Sequence, residues 1–512
     1  MKAFKKVFIL GLSITGCSIL EHVLRYFSDT VQIFCVDDFI SKEEFVRRVV
    51  SHCSLEERII FLNSVQASNI VENMVQGETD EVIVFCSPGI PMNNTLVTAC
   101  KAHGITLSCD FDLLYATLLE NGISFHDGDD IAVFITGTVG KSTTASGIAS
   151  ELKREENGQN LAVILSGNIG IPVLSIYDDI IVAKRLQKKV VCIFELSSAQ
   201  LELLNEFVPT ISVCLTVCVD HLDRYNSMEE YLYYKSKIFC HSKKYKPIHN
   251  ILCVDSEYSQ YILENVKKFY NTKSVALGYK DRANEWSELS TMYEGSEFIP
   301  FSTKDISRGV TFSKGILNVN LENHNCYKIE TGEIAVIPEE NIGIIALLTF
   351  LIVGIPNMQM DLQTLPHCLE RCYSKAPKYE SVKFINNSKA TKQAAVEYSL
   401  SLYKNVLLII GGKSKGEKLT EILPKFHNIN AIFLIGETTD RFAYEIEMSA
   451  TLLKYYKCYT LDVAMRSIKN VLDESVMEDY TVLLSPMCSS LDQWKNFQER
   501  GMFFKNFIID HY

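Results

Sequence analysis

The sequence predicts an α/β protein of three α/β domains in series. Short β-branched runs ending in Gly, Asp or Ser recur along it, each followed by a helix-like stretch, and that alternation builds parallel sheets covered by helices. The runs fall into three groups. "KKVFILGLSITG", "VQIFCVDD" and "EVIVFCSPGI" make the first, over residues 1–119. The second, over 120–363, opens with "DIAVFITGTVGKSTTAS" and continues through "LAVILSGNIGIP", "VVCIFELSSAQLE", "PTISVCLTVCVDHLDRY" and "NILCVDSEYS". The third, over 364–512, holds "YESVKFINNSKAT", "NVLLIIGGKSKG", "AIFLIGETTD" and "YTVLLSPMCSSLDQWKNF". Between about 270 and 335 the chain turns polar and irregular, and the pattern assigns no element there. Open α/β sheets bind ligands at the carboxyl ends of their strands, so the loops closing these runs are where chemistry is expected.

Bulk properties remove several function classes. With 512 residues, 47% apolar, 22% charged and only 12 prolines, the chain can bury a full-sized core. Its formal charge of −12 argues against nucleic acid, whose backbone asks for a basic face. Anionic ligands must then be held locally. The 16 cysteines stand singly, with no C-x-x-C pair, which reads as buried thiols in a reducing cytoplasm. "MKAFKKVFIL" is basic then apolar, but it runs straight into a glycine turn and is read as a first strand, not a leader. The apolar run from Ile342 to Pro356 is shorter than the roughly 18–20 residues of a span, so a buried helix and no membrane insertion are expected.

The loops carry the chemistry. "GLSITG" (Gly11 to Gly16) follows a strand, with Asp37 and Asp38 ending the next, and imitates a dinucleotide fingerprint. Its middle glycine, the one that lets backbone approach a pyrophosphate, is Ser13. A nucleotide-like ligand and a plain strand–helix turn both fit. "TGTVGKST" (Thr136 to Thr143) departs from Walker spacing: the position five residues before Gly140 is Ile135, and the nearer glycine is Gly137. A glycine turn between strand and helix still aims N–H groups at phosphates; Lys141 would neutralise β/γ oxygens and Ser142 can reach Mg²⁺. Glu195 ends an apolar strand and His221 lies in "DHLDRY", past another; together they suit a second Mg²⁺ site, although a lone loop histidine is more often a surface residue. Ser227 and Glu230 form a capping-box pattern that starts a helix. On that helix Lys235 and Lys237 cannot share a face, and physical chemistry alone singles out neither.

The order GTxGKST, SGNIGIP, ELSSxQLE, DHLDRY and a downstream YxxxK helix resembles the Mur ligases, ATP-dependent amide-forming enzymes of peptidoglycan synthesis, whose P-loop has the same displaced glycine. "NNSKAT", "GGKSKG" and "LSPMCSSLDQWKNFQERG" resemble the loops of those members that bind D-glutamate. The likeness extends over all three domains. It implies Rossmann-like N-terminal and C-terminal domains, for a UDP substrate and an amino acid, flanking a central P-loop ATPase-like domain. It further implies ATP and two Mg²⁺ as cofactors, UDP-N-acetylmuramoyl-L-alanine and D-glutamate as substrates, a cytoplasmic location and a monomer.

Residue roles follow from the same resemblance. Gly137, Thr138, Val139, Gly140, Lys141, Ser142 and Thr143 correspond to the phosphate loop. Glu195 and His221 correspond to metal-associated positions, and Lys235 to a lysine that the family carbamylates, which turns a cation into a carboxylate-like ligand. Lys141, Glu195, His221 and Lys235 are therefore the expected catalytic set, and Ser142, Glu195, His221 and carbamylated Lys235 the expected metal set. Ser13, Ile14, Thr15, Asp37, Asp38, Ser87, Pro88 and Gly89 would meet the UDP group; Asn168, Ser197 and Gln200 would meet the muramoyl-alanine portion. Lys389, Thr391, Lys415, Ser490, Leu491 and Phe497 would form the acceptor pocket, two lysines suiting two carboxylates. Some positions depart from the pattern. Val139 stands where Asn is usual, only Asn341 aligns with the family's HNxxN segment, Cys368 replaces an Arg that contacts the nucleotide, and Asn387 replaces an Asp that accepts from the ribose. Asn341 and Asn387 remain the nucleotide-side candidates. Each loss should weaken ATP binding by about 1–3 kcal/mol if buried, so a working ligase of poor nucleotide affinity is expected. The acceptor loops oppose a sister ligase or a folylpolyglutamate-type enzyme, and the retained Lys141, Glu195, His221 and Lys235 oppose a binder without turnover.

Overall fold

The structure is a computed structural model. It describes residues 4–49, 58–74, 78–168, 171–222, 224–239, 245, 247–269, 297–306, 309–320, 324–331, 337–354, 358–360, 365–414, 416–425, 427–449, 453–475 and 479–512. The chain forms two compact units, Met1–Glu330 with Pro338–Met360, and Thr331–Ile337 with Asp361–Tyr512. The first unit holds two sheets and the second holds one.

The first sheet is β1 (Lys6–Leu10), β2 (Gln32–Val36), β3 (Ile59–Leu62), β4 (Val82–Cys86) and β5 (Leu107–Ser108). Its order is β3-β2-β1-β4-β5, with every pair parallel. The second sheet takes β6 (Ile131–Thr136), β7 (Leu161–Gly167), β8 (Lys189–Glu195), β9 (Ile211–Cys214), β10 (His249–Cys253), β11 (Glu297–Ser302), β12 (Gly309–Ser313), β13 (Ile316–Asn320), β14 (His324–Thr331) and β15 (Met358–Met360). Its order is β15-β14-β13-β12-β11-β10-β9-β6-β8-β7. The pairings from β7 to β12 are parallel, and β12 to β14 turn back as antiparallel hairpins. Parallel strands covered on both faces read as unbroken apolar runs, and Val190 to Phe194 of β8 are all 0% exposed.

Strands β11 to β14 lie where the sequence pattern assigned nothing. Residues 270–296 of that stretch are outside the described residues. The apolar run after Ile342 is the helix Glu339–Val353, closed by Gly354 in the left-handed region at φ 74°. No helix among the described residues is long and apolar enough to cross a membrane. A helix at Asp110–Glu120 seats Phe111 against Phe134 of β6 and Phe194 of β8, ring centroids 5.7 and 5.4 Å apart, so aromatic packing anchors it under the second sheet.

The third sheet comprises β16 (Glu370–Cys372), β17 (Lys383–Asn386), β18 (Val406–Gly411), β19 (Ile429–Ile435), β20 (Lys454–Tyr459) and β21 (Thr481–Leu484). Its order is β16-β17-β21-β18-β19-β20, with only β16 antiparallel to its neighbour.

Candidate active site

Strand β6 sits between β8 and β9, and the chain crosses from one side of it to the other after β8. That is a topological switch point, where open sheets leave a crevice at the carboxyl ends of their strands. Register delivers the residues: Ile135 pairs with Glu195, and Thr136 with Cys214. Ile135 is thus ladder, not loop, which is why a glycine there is unnecessary. Gly137 is the position that needs one. Its φ is +146°, and a Cβ would come within 2.7 Å of the Leu215 Cβ. Gly140, at φ +82°, has Asn341 Nδ2 2.4 Å from where a Cβ would stand. Val139 separates them and is only partly buried, so a side chain is accommodated there.

The loop opens directly onto the helix Lys141–Gln159, whose first N–H groups and positive dipole end suit an anion. Lys141 Nζ donates to Thr138 O at 2.9 Å, so its ammonium lies over the loop. Ser142 and Thr143 are partly buried in the first turn. Asn341 is 1% exposed and donates to Gly140 O at 3.1 Å and Thr144 Oγ1 at 2.7 Å. Its amide braces the loop from behind. Beside it, Glu340 accepts from Thr216 N at 3.1 Å and from the Thr216 hydroxyl, while Thr216 O accepts from Thr138 N at 3.0 Å. Burial raises the Glu340 pKa. One helix start therefore fixes both ends of the loop.

Lys235 reaches the same loop. The helix Met228–Ser236 is capped by Ser227, which accepts from Glu230 N at 3.3 Å, while the Glu230 carboxylate accepts instead from Asn226 N at 2.8 Å. Tyr231 and Lys235, one turn apart, share the buried face; the Tyr231 hydroxyl pairs with Thr138 Oγ1 at 2.9 Å. Lys235 is 2% exposed and donates to Gly137 O at 2.8 Å and Thr136 Oγ1 at 3.4 Å. Desolvation, with the nearby Lys141 charge second, lowers its pKa to about 7. Lys237 points elsewhere, to the carbonyls of Glu202 and Leu204 at 3.0 and 2.9 Å.

Glu195 is 1% exposed at the tip of β8. Its Oε1 accepts from Asn168 Nδ2 at 2.9 Å, and among the described residues its Oε2 is buried with no hydrogen-bond donor. His221 adopts φ +55° and lies beside Asp220, with Nε2 3.5 Å from Asp220 Oδ2. Ser197 and Gln200 cap the helix Ser198–Leu203 reciprocally: Gln200 N donates to Ser197 Oγ at 3.3 Å and Ser197 N to Gln200 Oε1 at 2.9 Å. Their side chains thereby shape the loop beyond Glu195.

In the first sheet, the loops after β1, β2 and β4 are tied together. Leu12 N donates to Asp37 Oδ2 at 2.8 Å, and Ser87 Oγ donates to Gly11 O at 2.7 Å. Asp38 accepts from Ser64 N at 2.7 Å and Ser64 Oγ at 2.6 Å, so both aspartates order backbone. Ser13 precedes the helix Ile14–Tyr26 without a side-chain cap bond, Ile14 is 73% exposed and Thr15 partly buried. Pro88 and Gly89 are held through Arg224, whose guanidinium donates to Pro88 O at 2.9 Å, Ile90 O at 3.1 Å and Glu202 Oε2 at 2.8 Å. Arg224 N also donates to His221 O at 3.0 Å, which joins this loop to the histidine's. Arg224 and Glu202 lie inside the DHLDRY and ELSSxQLE motifs without having been singled out there, and Glu340 reads as an ordinary surface charge; Tyr231 was accessible through its spacing from Lys235.

In the second unit, the loops after β17, β18 and β21 leave adjacent parallel strands. Lys389 and Thr391 are partly buried, Ser490 is 3% exposed, Leu491 is 60% exposed, and Phe497 opens the helix Phe497–His511. Lys415 lies outside the described residues. Lys413 and Ser489 exchange backbone bonds of 2.8 and 3.1 Å, which stitches two of the loops. Asn387 is buried, its Oδ1 accepting from Leu369 N at 3.3 Å and its Nδ2 donating to Ser485 Oγ at 3.2 Å, so its amide is engaged within the unit. Cys368 occupies the adjoining turn, half-buried, between His367 and Leu369 at positive φ.

A strand-to-helix phosphate loop, overhung by a buried lysine and bordered by a buried carboxylate, defines a nucleotide-using group-transfer enzyme of α/β architecture. The Mur ligase middle domain matches residues 135–323. A UDP-N-acetylmuramoylalanine–D-glutamate ligase from Wolbachia pipientis wMel is 30% identical over 466 residues, 83% of this chain and 85% of the relative. Another protein of that name, from Rickettsia bellii (strain RML369-C), is 27% identical over 504 residues, 97% of this chain and 95% of the relative. Among solved structures, MurF ligase from Thermotoga maritima in complex with ADP is 14% identical with a TM-score of 0.49, covering 98% of this chain and 95% of that one. The chain belongs to the Mur ligase family and is an ATP-dependent ligase.

Proposed function

We propose that the chain joins D-glutamate to the alanyl carboxylate of UDP-N-acetylmuramoyl-L-alanine. The observation that carries this is the meeting of Lys141 and Lys235 on one glycine loop beside the buried carboxylate of Glu195, in a chain alike to D-glutamate ligases over nearly its whole length. The γ-phosphoryl group of ATP passes to the alanyl carboxylate, giving an acyl phosphate and ADP. The D-glutamate amine then attacks the acyl carbon; the new C–N bond forms, the C–O bond to phosphate breaks, and the amine gives up a proton. Loop N–H groups and Lys141 hold the phosphates in line, and Ser87 to Gly89 with Asn168 orient the UDP-sugar.

The donor set fits magnesium. The unpartnered Glu195 Oε2 is what a cation would satisfy, and Lys235, its pKa lowered to about 7 by burial, holds a substantial share of the amine form that adds carbon dioxide to become a carbamate. Among the described residues no three His, Cys, Asp or Glu side chains converge, so phosphate oxygens would complete the two sites that Ser142, Glu195, His221 and carbamylated Lys235 would serve. Magnesium, when bound, screens the repulsion between ATP and the substrate carboxylate.

The test uses UDP-N-acetylmuramoyl-L-alanine labelled with ¹⁸O in its carboxylate. Turnover with ATP and D-glutamate is expected to deliver one labelled oxygen to inorganic phosphate. Phosphate released without label would rule out the acyl phosphate, and no release at all would rule out the reaction.

A further inference from the structure

Arg500 is the largest fully buried side chain of the described residues, 1% exposed in the first turn of the helix Phe497–His511. Its place is doubly unfavourable. A buried cation is costly unless paired, and the start of a helix already carries partial positive charge. Among the described residues Arg500 has no ion pair, and its acceptors are all neutral: Nε donates to Ser388 Oγ at 3.0 Å, Nη2 to Ser388 O at 3.0 Å and Cys488 O at 3.2 Å, and Nη1 to Cys488 O at 3.3 Å. Burial lowers its pKa to about 10, with the nearby Asp492 carboxylate opposing without a direct ion pair, so it stays charged.

Those contacts place the charge at the junction of the acceptor loops. Ser388 precedes Lys389, Cys488 is two residues from Ser490, and Ser388 Oγ donates to Phe497 O at 2.8 Å. The third loop closes on it too: a Cβ on Gly412 would stand 3.2 Å from Arg500 Nη1. A guanidinium serving stability alone would be better matched by a carboxylate or replaced by an apolar side chain.

We propose that Arg500 is a positioning and specificity-determining residue of the acceptor pocket: its charge, buried without a direct ion pair behind the loops of Ser388, Gly412 and Cys488, selects an acceptor with a second carboxylate without touching it. This rests on the D-glutamate reading above. Charges about 8 Å apart still interact appreciably in a partly buried site, where the effective dielectric is near 20.

The experiment compares D-glutamate with D-glutamine as acceptor, in the wild type and in Arg500→Met and Arg500→Lys, with ATP and UDP-N-acetylmuramoyl-L-alanine saturating. Wild-type turnover of D-glutamate is measured first, and its absence would fail the reading and the inference together. Given turnover, Arg500→Met should lower the D-glutamate to D-glutamine ratio of kcat/KM about tenfold or more, chiefly through KM for D-glutamate. KM values for ATP and the UDP-sugar should stay within about twofold. Arg500→Lys keeps the charge but not the fork of hydrogen bonds, so it should lose thermal stability yet keep most of the ratio. A ratio unchanged in Arg500→Met would overturn the inference. So would a folded Arg500→Lys that has lost the ratio, which decides the matter even if the Met variant does not fold.

Discussion

Glu195 shows how a single residue can be held against its own interest. One carboxylate oxygen is bonded to Asn168, and the other is buried without a donor among the described residues, an arrangement that costs about 1–3 kcal/mol. Glu195→Gln removes that charge while Oε1 still accepts from Asn168. The expected outcome is a melting temperature equal to or above that of the wild type, with kcat reduced at least about 100-fold. A lower melting temperature with activity retained would mean that Glu195 is structural. The residue was legible because a charged group terminating an apolar strand is conspicuous. Arg500 and Glu340 were not, since a charge near a helix start reads as solvated until packing shows it buried. The same limit hid the use of Asn341 and Asn387, whose amides brace backbone and side chains in ways only the tertiary fold decides.

At the scale of elements, the phosphate loop was readable from its glycines, and the structure supplies the reason for their spacing: a tight approach to Leu215 at Gly137 and to Asn341 at Gly140. Strands β11 to β14 were not readable, because their short polar runs lack the long apolar stretch that marks β6 or β8. One junction predicts a pH effect. His22 of the helix Ile14–Tyr26 packs on Tyr26 and edge-on to Tyr177, ring centroids 4.5 and 5.5 Å away, and its Nε2 lies 3.0 Å from Thr117 Oγ1. Desolvation foremost, then the Arg25 charge, lowers its pKa from 6.5 to about 4, with Asp178 opposing. Below pH 6.5 the unfolded chain binds a proton that the folded chain refuses. The stabilisation is therefore complete above that pH and lost as pH falls towards 4, by up to about 3 kcal/mol. Urea unfolding of His22→Gln should show a shallower loss of stability between pH 6.5 and 4 than the wild type; parallel curves would contradict the assignment.

For the whole molecule, the three-sheet architecture followed from the alternation of strand and helix signals. The activity followed from the loops at the carboxyl ends of those strands. Most candidate nucleotide residues lie on the second sheet, with Asn387 on the third; candidate UDP contacts lie on the first and in the Asn168 and Ser197 loops of the second, and candidate acceptor loops on three adjacent strands of the third. On the proposed reading, acceptor choice belongs to the second unit's own loops. The most direct measurement is phosphate release and product formation by the full chain with ATP, Mg²⁺ and UDP-N-acetylmuramoyl-L-alanine, offered D-glutamate, L-glutamate, L-alanine, L-lysine or no amino acid in turn. The account predicts stoichiometric phosphate and a D-glutamyl product with D-glutamate alone. Silence with D-glutamate while the UDP-sugar still binds, or turnover with another acceptor instead, would contradict it.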